Sequence, residues 1–100
     1  MKVFDSLQDW RSWRANINYP IGFVPTMGAL HRGHLSLIQH SLADNPVTVA
    51  SIYVNPTQFN NADDLNKYPR TTEQDLALLK DAGVDAVLIP SYEQLYPDAF

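Results

Sequence analysis

The sequence predicts an α/β fold built on a parallel sheet, and three observations predict it. The runs "IGFV", "VTVASIYV" and "AVLI" are short, apolar and rich in β-branched residues, as strands are. Segments with apolar residues at helical spacing lie between them, and turn residues mark the joints. Strand, helix, strand, helix, strand is the order of a parallel sheet, and right-handed crossovers place the three strands in the order 3-2-1. This is one half of a doubly wound domain, with three main parallel strands and flanking helices.

Each element follows from local signals. Ser6 with Asp9 three residues on resembles a capping pair, and Leu7, Trp10, Trp13 and Ile17 recur at helical spacing, so a first helix is expected over Leu7 to Ala15. Trp10 and Trp13 are assigned to packing of that helix or to a subunit interface. Ile21 to Val24, between Pro20 and Pro25, is the first strand. A second helix is expected from about His34, with Leu35, Ile38 and Leu42 on one face, until "DNP" at Asp44 to Pro46 turns the chain. Val47 to Val54 is near-continuously apolar, as a strand covered on both faces is. Asn55 to Arg70 has no sustained period and is long for a connection inside a compact domain, which marks functional loops. Thr72 with Asp75 is expected to start a third helix carrying Leu76, Leu79 and Ala82, with Gly83 as its left-handed stop. Ala86 to Ile89 is the third strand, and Ser91 opens a short helical turn.

Bulk composition narrows the function. At 100 residues the chain fits one domain with one modest core. Its 45% apolar and 18% charged residues lie far from the disordered regime. A net charge of -4 without a cluster of basic residues argues against nucleic acid or an anionic membrane as partner, so an anionic ligand has to be held locally. The absence of cysteine excludes disulfides and thiolate metal sites. No signal-peptide core and no run of about 18 apolar residues occurs, and the expected location is the cytoplasm. The final "SYEQLYPDAF" stops in mid-loop by its composition, and the expectation is a cut rather than a natural terminus.

One stretch carries chemistry. "PTMGALHRGH", Pro25 to His34, leaves the first strand at its carboxyl end and opens the second helix. Ligands of doubly wound sheets bind at that end, beside the strand where the order reverses. "NPTQF" leaves the neighbouring strand there too, so both loops are expected to face one crevice. A helix N-terminus favours an anion, and Gly28 and Gly33 are expected to let the backbone approach it. His31 and His34 are spaced to point outward together, where their imidazoles can stabilise developing charge on a phosphate. A metal clip needs a third and usually a fourth ligand, and none is suitably placed, so no metal site is expected. His40 is read as a surface residue. The plainer reading of "HRGH", two histidines satisfying their own turn, stays open on the residues alone.

"HRGH" after a strand fits the HxGH signature of the nucleotidyl-transferring α/β superfamily. Together with "YVNPTQF" at Tyr53 to Phe59, "YPRT" at Tyr68 to Thr71 and "YP" at Tyr96 and Pro97, "PTMGALHRGH" closely resembles the N-terminal part of the pantoate–β-alanine ligase family. The resemblance covers nearly the whole chain and is weakest before Ile21. It implies a Rossmann-like sheet and an enzyme that joins pantoate to β-alanine through a pantoyl adenylate, using ATP with Mg2+. It carries ATP binding onto Met27, Gly28, Ala29, Leu30, His31, Arg32, Gly33 and His34, with His31 and His34 catalytic and His34 the proton donor. Pantoate and β-alanine contacts fall on Pro25, Thr26, Met27, Asn55, Gln58 and Tyr68.

Family members continue beyond this length, adding a lysine–aspartate motif and a serine-rich loop. The resemblance therefore implies that residues 1–100 are the N-terminal part of the nucleotide-binding domain, that the rest of the enzyme is absent, and that this piece alone is inactive. It also implies a homodimer for the whole enzyme. Two other readings stay open. One is an adenylyltransferase for another small cofactor, which has a phenylalanine–aspartate–proline turn where Thr26, Met27 and Gly28 stand here. The other is a non-catalytic module that self-associates through its sheet edge.

Overall fold

A computed structural model describes residues 1–54 and 71–97. In chain order the elements are β1 (Lys2–Phe4), α1 (Leu7–Ala15), β2 (Ile21–Thr26), α2 (Arg32–Asp44), β3 (Val47–Ile52), α3 (Thr72–Ala82), β4 (Ala86–Leu88) and α4 (Tyr92–Leu95). The four strands form one parallel sheet in the order β1-β4-β3-β2. The three expected strands take their expected order, and a fourth corrects the count. β1 escapes a sequence reading because three residues are too few for a period to register. It is fixed from outside: Lys2 to Phe4 pairs with Ala86 to Leu88, and the Lys2 and Ile89 amides donate to Asp85 O and Phe4 O.

The register separates the two faces of the sheet. Val24, Ala50 and Val87 lie side by side across β2, β3 and β4. With Ile52 they meet Ile38 of α2, Leu79 of α3 and Val84 in the main core. Residues of the other parity, including Val49, Ala86 and Leu88, are buried on the opposite face. On that face Phe4 packs its ring 5.6 Å from Trp13 and 6.2 Å from Trp10, so α1 lies there. The two tryptophans thus serve the packing of the first helix. Right-handed crossovers demand this division, because β1 to β2 crosses the sheet one way and β2 through β4 returns.

The element ends show where side chains override pattern. Ser6 Oγ accepts the Asp9 N–H at 3.3 Å, and α1 has the expected bounds. β2 runs two residues past Val24, through Pro25, because proline is tolerated on the outer strand of a sheet. β3 ends at Ile52 rather than Val54, and β4 at Leu88 rather than Ile89. α2 begins at Arg32, two residues before the expected His34. α3 begins at Thr72 as expected, but its capping differs: Thr71 is the cap residue and makes no side-chain cap bond, while Asp75 accepts the Thr71 hydroxyl and the Ala29 and Leu30 N–H groups rather than an amide of its own helix terminus. Gly83 ends α3 at φ 100°, as its position suggests.

Candidate active site

The loop between β2 and α2 is built from commitments of its own backbone. Thr26 Oγ1 donates to Ser51 O at 2.8 Å and accepts the Gly28 N–H at 3.1 Å, pinning the end of β2 to β3. Gly28 and Ala29 then take φ values of 81° and 50°, two successive residues in the left-handed region. Alanine pays a steric cost of about 1–2 kcal/mol there, so its surroundings have to hold it. They do: Asp75, 4% exposed, accepts the Ala29 N–H on Oδ2 and the Leu30 N–H on Oδ1, each at 2.9 Å. Leu30 sends its side chain against the core.

The two histidines cap α2. Nδ1 of His31 accepts the Gly33 N–H at 3.0 Å, and Nδ1 of His34 accepts the His31 N–H at 3.1 Å, a reciprocal capping box with imidazoles in both places. An accepting Nδ1 carries no proton, so each neutral ring holds its hydrogen on Nε2. The ring centroids are 4.1 Å apart. Burial pushes the His34 imidazole below its ordinary 6.5, the neighbouring His31 pushes the same way, and the Asp75 carboxylate opposes them. The loop thus presents two adjacent, neutral Nε2–H donors. The plain reading of "HRGH" holds, two histidines satisfying their own turn, and the same capping fixes which nitrogen of each ring is left to donate.

These rings border a cleft of about 690 Å³ at the carboxyl ends of β2, β3 and β4, lined also by Pro25, Thr26, Met27, Ser51 and Tyr53. A smaller pocket of about 240 Å³ continues past Met27 and Tyr53 to Gly28 and Asp75. Of the residues singled out in the sequence, Pro25, Thr26, Met27, His31 and His34 therefore meet at the main cleft, and Gly28 borders its extension. Ala29, Leu30, Arg32 and Gly33 line neither. A Cβ on Gly28 would face Asp75 Oδ2 and Ile52 at 3.2 and 3.3 Å, and one on Gly33 would meet the His31 ring at 2.9 Å. Gly28 thus makes room for side chains of α3 and β3, and Gly33 for the ring that caps α2. Asn55, Gln58 and Tyr68 lie outside the described residues. His40 is exposed on α2, as expected.

Two contributors escape a sequence reading. Asp75 reads as a helix-start residue, and nothing local shows that its carboxylate crosses to a loop 45 residues earlier. Tyr53 enters the sequence reading only as part of a motif. Its hydroxyl is buried and has no partner among the described residues, and burial pushes it above the ordinary 10.0, with Tyr96, Tyr92 and Glu93 adding to the effect. Among the described residues no group of three His, Cys, Asp or Glu side chains can hold a metal ion, and no helix is long and apolar enough to cross a membrane.

A parallel sheet with an HxGH helix start at the carboxyl end of its outer strand defines a nucleotidyltransferase-type α/β domain. Comparison with known proteins makes this specific. The family described as Pantoate-beta-alanine ligase matches residues 1–100, and the chain belongs to that family. Pantothenate synthetase of Coxiella burnetii (strain Dugway 5J108-111) is 52% identical over 99% of this chain and 39% of its own length. That of Thermosipho africanus (strain TCF52B) is 50% identical over 100% and 37%. Among solved structures, pantoate-beta-alanine ligase from Francisella tularensis, complexed with beta-gamma ATP and beta-alanine, superposes with a TM-score of 0.95 at 44% identity, covering 99% of this chain and 39% of that one. Pantothenate synthetase from Thermus thermophilus gives 0.89 at 45% identity, covering 100% and 36%. The chain thus spans between 36% and 39% of the length of these relatives.

Proposed function

We propose that this chain supplies the nucleotide-binding part of an ATP-dependent ligase that condenses pantoate with β-alanine. The carrying observation is the pair of Nε2–H donors that the histidine capping box holds at the mouth of the cleft. In the first step a pantoate carboxylate oxygen bonds to the α-phosphorus of ATP, the bond to the bridging oxygen breaks, and pyrophosphate leaves with the electron pair. In the second the β-alanine amine bonds to the acyl carbon, AMP departs with the C–O electrons, and the amine loses its proton. Both steps need alignment and charge stabilisation more than a protein nucleophile.

Within this reading His31 and His34 donate hydrogen bonds to the phosphates as charge shifts onto the leaving pyrophosphate. The family resemblance assigns His34 as the proton donor, and its Nδ1, which accepts the His31 N–H, leaves Nε2 as the nitrogen that donates. Met27, Pro25 and Thr26 line the cleft beside them, and family resemblance assigns these three to pantoate and β-alanine. Asn55, Gln58 and Tyr68 are assigned to the substrates by family resemblance, Gln58 through its amide to pantoate. Mg2+ would enter with ATP as part of the substrate complex and would offset charge on the phosphates. Residues 1–100 are read as the N-terminal part of the nucleotide-binding domain, inactive alone, within a cytoplasmic homodimer.

The test is formation of AMP and pyrophosphate by the full-length protein. Release should require pantoate, a heavy-oxygen label in the pantoate carboxylate should appear in AMP, and β-alanine should be needed for turnover. AMP formation with another acid and not with pantoate would overturn the assignment. His34→Ala should lower turnover on the order of a hundredfold and His40→Ala hardly at all; equal effects would remove the role given to the loop.

A further inference from the structure

Asp75 is the only acidic side chain among the described residues that is buried, at 4% exposure. A carboxylate removed from water is costly unless hydrogen bonds replace its hydration. Three do so here: the Ala29 and Leu30 N–H groups at 2.9 Å and the Thr71 hydroxyl at 3.1 Å. None of the three serves α3's own terminal amides. The carboxylate therefore fastens one helix to the loop that opens another.

The place of the fastening matters. Ala29 holds a left-handed φ of 50°, a conformation that alanine keeps only under restraint. Leu30 is followed immediately by His31, whose own N–H is the donor to His34 Nδ1. Two bonds thus fix the backbone from which both imidazoles are hung. The bare Cα of Gly28, whose missing Cβ would lie 3.2 Å from Asp75 Oδ2, lets the carboxylate come this close.

We propose that Asp75 is a positioning residue for the ligase reaction, acting through the Ala29 and Leu30 amides to aim His31 and His34 into the cleft. The inference rests on the functional reading above for its kinetic consequence, and on the geometry alone for its structural one. Asp75→Asn keeps the shape but sets an NH2 against one of the two backbone N–H groups, so one bond is lost and the loop is freed at that end.

The test uses the full-length protein and its Asp75→Asn, Thr71→Val and Asp81→Asn variants. Asp81 lies exposed on the same helix and serves as control. For Asp75→Asn, kcat of pantoate-dependent AMP formation should fall on the order of tenfold to a hundredfold, as displaced catalytic groups do. Thr71→Val, which removes one supporting bond, should fall less, and Asp81→Asn should match the parent. Nitrogen NMR should show the Ala29 and Leu30 amides moved, and the His31 and His34 rings no longer held in the single Nε2–H form. A folded Asp75→Asn with parental kcat and unchanged ring signals would overturn the proposal. Should Asp75→Asn fail to fold, Thr71→Val decides, and parental kcat with unchanged ring signals there overturns it too. If the parent makes no AMP from pantoate, the functional reading falls, while the ring signals still decide whether Asp75 aims the histidines.

Discussion

His34 Nδ1 accepts the backbone N–H of His31 at 3.1 Å, while His31 Nδ1 accepts that of Gly33 at 3.0 Å. One nitrogen of each ring is thereby consumed in starting α2, and the other keeps its hydrogen on rings that line the cleft. Cap and proposed chemistry share the same two side chains, so they can be separated only by substitutions that keep one and delete the other.

Asparagine is a good helix cap and has no imidazole. His31→Asn should keep the stability of the parent within about 0.5 kcal/mol, whereas His31→Ala should lose about 1 kcal/mol with the cap. Both should lose turnover in the full-length protein by on the order of a hundredfold or more, since each removes the Nε2–H donor. Urea unfolding and AMP formation, measured on the same samples, check this. Parental turnover in His31→Asn would mean that the ring serves only the helix.

Acid should weaken the same cap. The folded His34 sits below its ordinary 6.5 because of burial first and His31 second, so on acidification the unfolded chain takes up its proton earlier. The stability this provides is fully present above about pH 6.5 and is lost as the pH falls through the lowered folded value. Glutamine at this position can also reach back to the cap amide, without titrating. The urea midpoint of the parent should therefore drop on acidification through this range more than that of His34→Gln. Identical pH profiles for the two would rule out the histidine as the source.

What the sequence disclosed, and what it hid, divides by the range of the forces involved. α1 was legible to the residue because Ser6, Asp9 and the Trp10–Trp13 spacing are all local. Gly83 likewise announced its own φ. The strand order followed from handedness rules that hold whatever the side chains. β1 was hidden because its three residues owe their conformation to β4, which lies more than 80 positions away. The position of the histidine loop was legible, and five of its expected residues do meet at the cleft. Its interior was not: the pattern that made Asp75 look like a capping residue is equally satisfied by a carboxylate aimed elsewhere, and only the packed fold decides between them.

Gly22 is a close-approach glycine rather than a conformational one. A Cβ there would overlap Ser41 Oγ, on the face of α2 that lies against β2, and stand 2.7 Å from Nδ2 of Asn45, the residue that ends α2. Ser41 cannot simply swing aside, because its hydroxyl shares a 2.7 Å hydrogen bond with Thr48 Oγ1 of β3. Gly22→Ala should therefore push α2 off the sheet at a cost of about 1–3 kcal/mol, typical of overpacking. Chemical denaturation measures it directly. The double change Gly22→Ala with Ser41→Ala should recover part of the loss, and failure to recover any would place the strain elsewhere.

Gly28 faces a harder constraint, because conformation and space both act on it. Its φ of 81° costs a side chain about 1–2 kcal/mol, and the added Cβ would press on Asp75 Oδ2 at 3.2 Å and Ile52 Cγ2 at 3.3 Å. Ile52 is in the core and cannot retreat far, so the carboxylate has to give way. Gly28→Ala should then destabilise by about 2 kcal/mol and loosen the two backbone bonds to Asp75 together. Hydrogen exchange distinguishes this from general weakening: the Ala29 and Leu30 amides should lose protection well beyond the global change, while those of β3 follow the global change alone. Equal loss at both places would mean that Gly28 is needed for the fold as a whole and not for the clamp on the histidine loop.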